Sequence, residues 1–145
     1  MKFKKLLSLS VLLFIYFCTV LQASDSGLTP LPGNPLRKLI LDSLRKEVKH
    51  IHGLDVVFIV KHLRVKNGWA WVHTLPRSPD GRNRYEDISA LLRFHNDSWK
   101  VVEIPCGEEE SQDCLNGPEY FKILKARYPT VAVEIFPDWT YDARK

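Results

Sequence analysis

The dipeptide Asn67-Gly68 constrains the fold of this chain more than any other short stretch, because it separates two runs of apolar residues. The runs cover residues 54–65 and 69–75, and both are rich in β-branched and aromatic side chains. Asn-Gly favours a type I′ turn, in which both central residues have positive φ. The sequence therefore predicts a β-hairpin closed by a two-residue turn.

A two-residue turn defines the cross-strand partners and the two faces of this hairpin. The predicted pairs are Lys66 with Trp69, Val65 with Ala70, Arg64 with Trp71, Leu63 with Val72 and His62 with His73. The face expected in the core carries Val57, Ile59, Leu63, Val65, Ala70 and Val72, with Lys61 and Thr74 toward the far end. The other face carries Phe58, Val60, His62, Arg64, Trp69, Trp71, His73 and Leu75. A three-residue loop would shift these partners.

The first 23 residues have the layout of a secretory signal peptide. Lysines at positions 2, 4 and 5 precede an uncharged run over residues 6–20, and Ala23 ends the segment. This run is shorter than the roughly 20 apolar residues of a bilayer-spanning helix, so we expect no membrane span after cleavage. Cys18 follows the bulky Phe17, which argues against lipoprotein processing. We expect a periplasmic or secreted protein, with residues 24–33 as a flexible lead-in.

Removal of the signal peptide leaves 122 of the 145 residues and changes the net charge. The segment contains three lysines and no acidic residue, so the formal charge falls from +4 to +1. Nucleic-acid binding depends largely on neutralising phosphates with excess positive charge. The nearly neutral exported chain therefore does not favour a nucleic-acid partner.

Cys106 and Cys114 are the two cysteines that follow the signal peptide. In an oxidising compartment an isolated pair normally closes, and we expect a disulfide between them. Half of a metal site is the competing interpretation. The seven-residue spacing matches no zinc pattern, so the sequence predicts no metal site and no cofactor.

The remaining segments predict one helix before the hairpin and a second hairpin after it. Asn34-Pro35 is typical of a helix start, and the helix is expected to run to Gly53. Its apolar stripe comprises Leu36, Ile40, Leu44, Val48 and Ile51.

Residues 88–94 and 99–104 form the second strand pair around a turn, after a long loop at 77–84. A short helix follows residues 116–118, residues 130–136 form a terminal strand or an extended cover, and residues 137–145 form a tail.

This order predicts a single α+β domain over residues 34–136. An N-terminal helix packs on an antiparallel meander of four or more strands, and a short C-terminal helix follows. The outline resembles the cystatin-like and nuclear-transport-factor-like curved-sheet folds.

Three patches are similar to a group of small exported bacterial proteins of uncharacterised function. They read Leu-Arg-Val-Lys-Asn-Gly-Trp-Ala-Trp-Val at 63–72, Ala-Leu-Leu-Arg at 90–93 and Trp-Lys-Val-Val at 99–102. The resemblance implies the fold and export, and it carries over no catalytic or binding residue. The Gln-x-Val-x-Gly pattern of cystatins does not occur, so cysteine-protease inhibition is not supported.

The predicted His62–His73 pair is the sharpest chemical feature of the sequence. Two opposed imidazoles could hold a transition metal or respond to pH, although Arg64 beside them opposes cation binding. A structural role on a half-exposed sheet is the favoured interpretation. Either histidine could also form an acid–base pair with Asp87 or Glu103.

We therefore expect an exported, non-catalytic binding protein of the cell envelope. Tryptophan and arginine are the side chains that most often anchor interfaces. The candidate binding residues are His62, Arg64, Trp69, Trp71, His73, Arg77, Arg82 and Arg84. The expected partner is an envelope or secreted protein, such as a toxin or a hydrolase, or a cell-wall polymer. The alternative is a small pocket enzyme that uses His62 and His73 for acid–base chemistry.

Overall fold

The computed structural model describes residues 29–105 and 118–138. The elements are helix α1 (Pro35–His52), strands β1 (Val57–Lys66), β2 (Trp69–Arg77), β3 (Ile88–His95) and β4 (Ser98–Glu103), helix α2 (Pro118–Arg127) and a 3₁₀ turn (Val133–Ile135). The predicted signal peptide, the predicted Cys106–Cys114 disulfide and most of the predicted tail lie outside the described residues.

Helix α1 begins and ends as the sequence predicts. Oδ1 of Asn34 accepts a hydrogen bond of 2.8 Å from the backbone N–H of Leu36, and Pro35 occupies the first turn. Gly53 ends the helix with a φ of 68°, and its N–H donates to the carbonyl of Lys49. A left-handed residue at this position is a common helix stop that favours glycine. Local chemistry at both ends therefore explains the length of α1.

The four strands form an antiparallel sheet in the order β1-β2-β3-β4, which confirms the predicted meander. The cross-strand partners from Lys66–Trp69 to His62–His73 are those predicted for a two-residue turn. Asn67 and Gly68 have φ values of 51° and 73°, as a type I′ turn requires. In the second hairpin, Phe94 faces Trp99.

The sheet is covered on both faces. Helix α1 packs on one face, and its buried residues Ile40, Leu44 and Val48 join a cluster with residues of β1 to β4. Residues 118–138, which we call the C-terminal cover, pack on the other face with Trp69, Trp71 and Leu91. Residues 130–136 thus form part of this cover, with the 3₁₀ turn, rather than a terminal strand.

A β-bulge changes the two faces of β1 and corrects the sequence prediction. The pairing with β2 shifts between Val60 and His62, so Lys61 is an extra residue in the strand. A single extra residue reverses the alternation of every side chain before it. Phe58 and Val60 therefore pack against the α1 cluster, whereas Val57, which was expected in that core, is 45% exposed. The predicted assignment of side chains to the two faces holds from His62 onward and is wrong for residues 57–61, since Lys61 is exposed.

Candidate functional site

The two tryptophans of the predicted binding face are core residues. Trp69 is 3% exposed and Trp71 is 1% exposed, since the C-terminal cover lies over both rings. The Trp71 ring makes edge contacts with Phe121 and Phe136, at centroid distances of 5.2 and 5.5 Å. Nε1 of Trp69 donates to Oγ1 of Thr130 at 3.2 Å. This face is closed, which corrects the expectation that the tryptophans meet a ligand.

His62 and Arg64 bind the chain's own C-terminal cover. Nε2 of His62 lies 2.8 Å from the carbonyl oxygen of Ile135. Nη1 of Arg64 donates to the carboxylate of Asp138 at 2.8 Å and to the carbonyl of Glu134 at 3.2 Å. Both side chains therefore stabilise the cover, a role that no local sequence pattern indicates because the contacts join residues about 70 positions apart.

His73 stands opposite His62 in the register, but its side chain has a different partner. Its Nε2 lies 3.1 Å from Oδ2 of Asp87, one of the carboxylates that the sequence suggested for an acid–base pair. Within residues 29–105 and 118–138, no group of three or more His, Cys, Asp or Glu side chains could hold a metal ion.

The three candidate arginines lie on and around the loop between β2 and β3. Arg77 and Arg84 form an isolated backbone bridge across this loop. Nε of Arg82 lies 3.6 Å from Oδ2 of Asp80, and both side chains are exposed. Because Trp69 and Trp71 are covered, the three arginines do not form one open binding surface with the two tryptophans.

The lowered pKa of His62 predicts that the stability of the fold depends on pH. Burial lowers the pKa of this imidazole, Arg64 adds to the effect, and the bond to the Ile135 carbonyl opposes it. The unfolded chain then binds a proton more readily than the folded chain. Stability is therefore expected to fall as the pH drops below the ordinary histidine value of about 6.5.

Urea unfolding at about pH 7.5 and about pH 5.5 measures this dependence. We expect His62→Gln to lose less stability between the two pH values than the wild type, because glutamine does not ionise and keeps an N–H donor for Ile135. His95→Gln, at an exposed site, is the control and should behave as wild type. Equal pH dependence in His62→Gln and wild type would contradict the assignment.

A cleft of about 820 Å³ lies elsewhere, at one end of the sheet. Its apolar lining comprises Val48, Ile51, Leu54, Val56, Pro76, Ile88, Ile104 and Pro105. Polar groups come from His52, Tyr85, Glu86, Asp87 and Ser89. These residues bring the end of α1 together with the adjacent ends of β2, β3 and β4.

Local geometry explains why the cleft forms at this end. Helix α1 stops at His52, and the positive φ of Gly53 turns the chain away from the helix axis. The loop after β2 folds back, so that the N–H of Tyr85 donates to the carbonyl of Pro76 at 3.1 Å. Apolar residues at the strand ends therefore line a space beside the last turn of the helix.

Four polar side chains of the cleft are available to a ligand. In the described part of the chain, no side-chain hydrogen bond or ion pair joins His52, Tyr85, Glu86 or Ser89 to another residue. Asp87 differs, because it pairs with His73. An apolar wall with a few free polar groups is the usual composition of a small-molecule site.

The sequence patterns do not indicate this cleft, because its lining comes from four separate segments. The sequence contains one weak signal, because the apolar stripe of the predicted helix continues to Ile51. In the fold this side chain is 54% exposed. Only the folded chain shows that Ile51 stands near Ile88 and Ile104.

The described residues form an α+β fold with a cleft between the end of α1 and the antiparallel sheet. No protein-family model, no curated protein and no solved structure matches this chain. In residues 29–105 and 118–138, neither helix is long and apolar enough to cross a bilayer.

Proposed function

We propose that this chain is an exported, non-catalytic binding protein that holds a small, largely apolar ligand in the cleft. The observation that carries the proposal is the cleft itself, whose volume of about 820 Å³ lies within the range of ligand pockets, roughly 300–1,000 Å³. Export rests on the signal-peptide layout of residues 1–23.

The shape of the site favours a small ligand over the protein or cell-wall polymer that the sequence suggested. A stable protein interface covers about 800 Å² on each partner and is anchored by exposed aromatic and arginine side chains. Here Trp69 and Trp71 are buried, and Arg64 is bonded to the C-terminal cover. The cleft, in contrast, offers concave apolar surface from Ile51, Ile88 and Ile104.

Titration with N-phenyl-1-naphthylamine, a neutral dye that fluoresces in apolar surroundings, tests this proposal. The protein is the chain from Ser24 onward, which contains every described residue. We expect saturable binding. Ile51→Gln should weaken it about fivefold, because roughly 1 kcal/mol of apolar contact is lost at the cleft wall.

Leu39→Gln is the matched control for this experiment. Leu39 lies on the same helix, is 58% exposed against 54% for Ile51, and does not line the cleft. Its substitution should leave dye affinity unchanged. Non-saturable binding, or an equal loss of affinity in both variants, would contradict the proposal.

A second candidate function is a small pocket enzyme, and one observation favours it. Asp87 lines the cleft and lies 3.1 Å from Nε2 of His73, an arrangement that serves general acid–base catalysis. Mass spectrometry of ligand recovered after incubation separates the two functions. An unchanged ligand supports binding. A product that the wild type forms and His73→Ala does not form supports the enzyme, provided that the variant keeps the circular dichroism spectrum of the wild type.

A further inference from the structure

We propose that the ligand of the cleft is a cationic amphiphile, with an apolar body against the isoleucines and a protonated amine near Glu86 and Asp87. This inference rests on the proposed binding function and adds the chemical class of the ligand. It follows from the sign of the charges that line the cleft.

Acidic groups dominate the charge of the lining. Glu86 and Asp87 contribute two carboxylates, His52 contributes an imidazole, and neither lysine nor arginine belongs to the described lining. Arg84, two residues before Glu86, is exposed and is not a lining residue. A cationic head group therefore meets net negative charge in this cleft.

Glu86 is the better anchor of the two carboxylates. Oδ2 of Asp87 already has a partner in Nε2 of His73, which lies 3.1 Å away. Glu86 forms no ion pair with any residue in the described ranges. A ligand amine would thus supply the missing counter-charge for Glu86 without displacing an existing contact.

The distribution of burial orients the ligand. Glu86 and Asp87 are exposed, which places them at the mouth of the cleft. Val48 and Val56 are 2% and 6% exposed and belong to the floor. The charged head therefore stays partly hydrated at the mouth, while the apolar body is removed from water.

The chain's own residues 106–117 are a poor occupant by composition. This segment follows Pro105, a lining residue, and contains four acidic side chains and one leucine. Its charge has the same sign as that of Glu86 and Asp87, and it offers little apolar surface. Charge complementarity therefore favours an external cation.

Displacement of N-phenyl-1-naphthylamine by three ten-carbon probes tests this inference at neutral pH. The probes are decylamine, decanol and decanoate, used below the concentrations at which they form micelles. We expect decylamine to displace the dye at about fivefold lower concentration than decanol, since a partly exposed ion pair contributes modestly, and decanoate to be the weakest. Added salt should reduce the difference between amine and alcohol.

Glu86→Gln should reduce the advantage of decylamine over decanol from about fivefold to less than about twofold. Glu119→Gln, at an exposed carboxylate on α2 that pairs with Lys122, is the control and should preserve the ranking. If decanol displaces the dye and decylamine is no better, the cationic ligand class is overturned and the binding function stands. If neither the dye nor decanol binds, the proposed function itself fails and this inference fails with it.

Discussion

Replacement of Trp71 by alanine is expected to lower the free energy of unfolding by about 3–5 kcal/mol, the usual cost of removing a large buried aromatic ring. The Trp71 side chain is 1% exposed and lies between Phe121 and Phe136. Its loss would leave a cavity between the sheet and the C-terminal cover. Urea unfolding followed by circular dichroism measures the effect.

Phe94→Ala is the control for this prediction, because Phe94 is an aromatic residue of the same sheet but is 45% exposed. It should cost clearly less than Trp71→Ala. A loss below about 1 kcal/mol for Trp71→Ala would be typical of a surface position and would contradict the covered face.

Trp71→Phe should keep dye binding in the cleft, since Trp71 and α1 lie on opposite faces of the sheet.

Replacement of Glu103 by alanine is expected to cost about 1.5–3 kcal/mol, because hydrogen bonds to a charged group are lost at a largely buried position. The Glu103 side chain is 15% exposed and accepts bonds of 2.7 and 2.6 Å from Arg127. It also accepts a bond of 3.0 Å from the hydroxyl of Tyr120, a residue that is 5% exposed. These contacts attach α2 to β4, so the variant should loosen the C-terminal cover.

Glu103→Gln separates the charge from the hydrogen bonds in this cluster. Glutamine keeps an oxygen that accepts from Tyr120, so we expect a smaller loss of unfolding free energy than for alanine. Glu47→Ala is the surface control, because the Glu47 side chain is 39% exposed and its histidine contact is long, at 3.8 Å. Equal values for Glu103→Ala and Glu47→Ala would contradict the attachment of α2 through Glu103.

Local sequence patterns predict the elements of this protein well. Asn34 and Gly53 delimit α1, and Asn67-Gly68 closes the first hairpin with the predicted partners. Each of these features depends on backbone preferences and on hydrogen bonds between residues close in sequence. Because the residues that interact are neighbours in the sequence, the sequence is sufficient to identify these interactions.

The same patterns do not predict which residues meet the solvent. Lys61 shifts the strand by one residue, and this shift moves Phe58 and Val60 to the helix side. Nothing in the alternation of apolar residues marks such a bulge. The burial of Trp71 depends on Phe121 and Phe136, which lie at least 50 positions further along the chain.

The sequence by itself therefore determined the α+β class, the hairpin register and the ends of α1, because these follow from local backbone chemistry. Tertiary structure alone decided that the C-terminal cover closes the tryptophan face and that the cleft opens beside the end of α1. Both outcomes depend on how distant segments compete to remove apolar surface from water. The candidate site is accordingly the cleft that joins Ile51, Glu86 and Ile104, and not the face that carries Trp69 and Trp71.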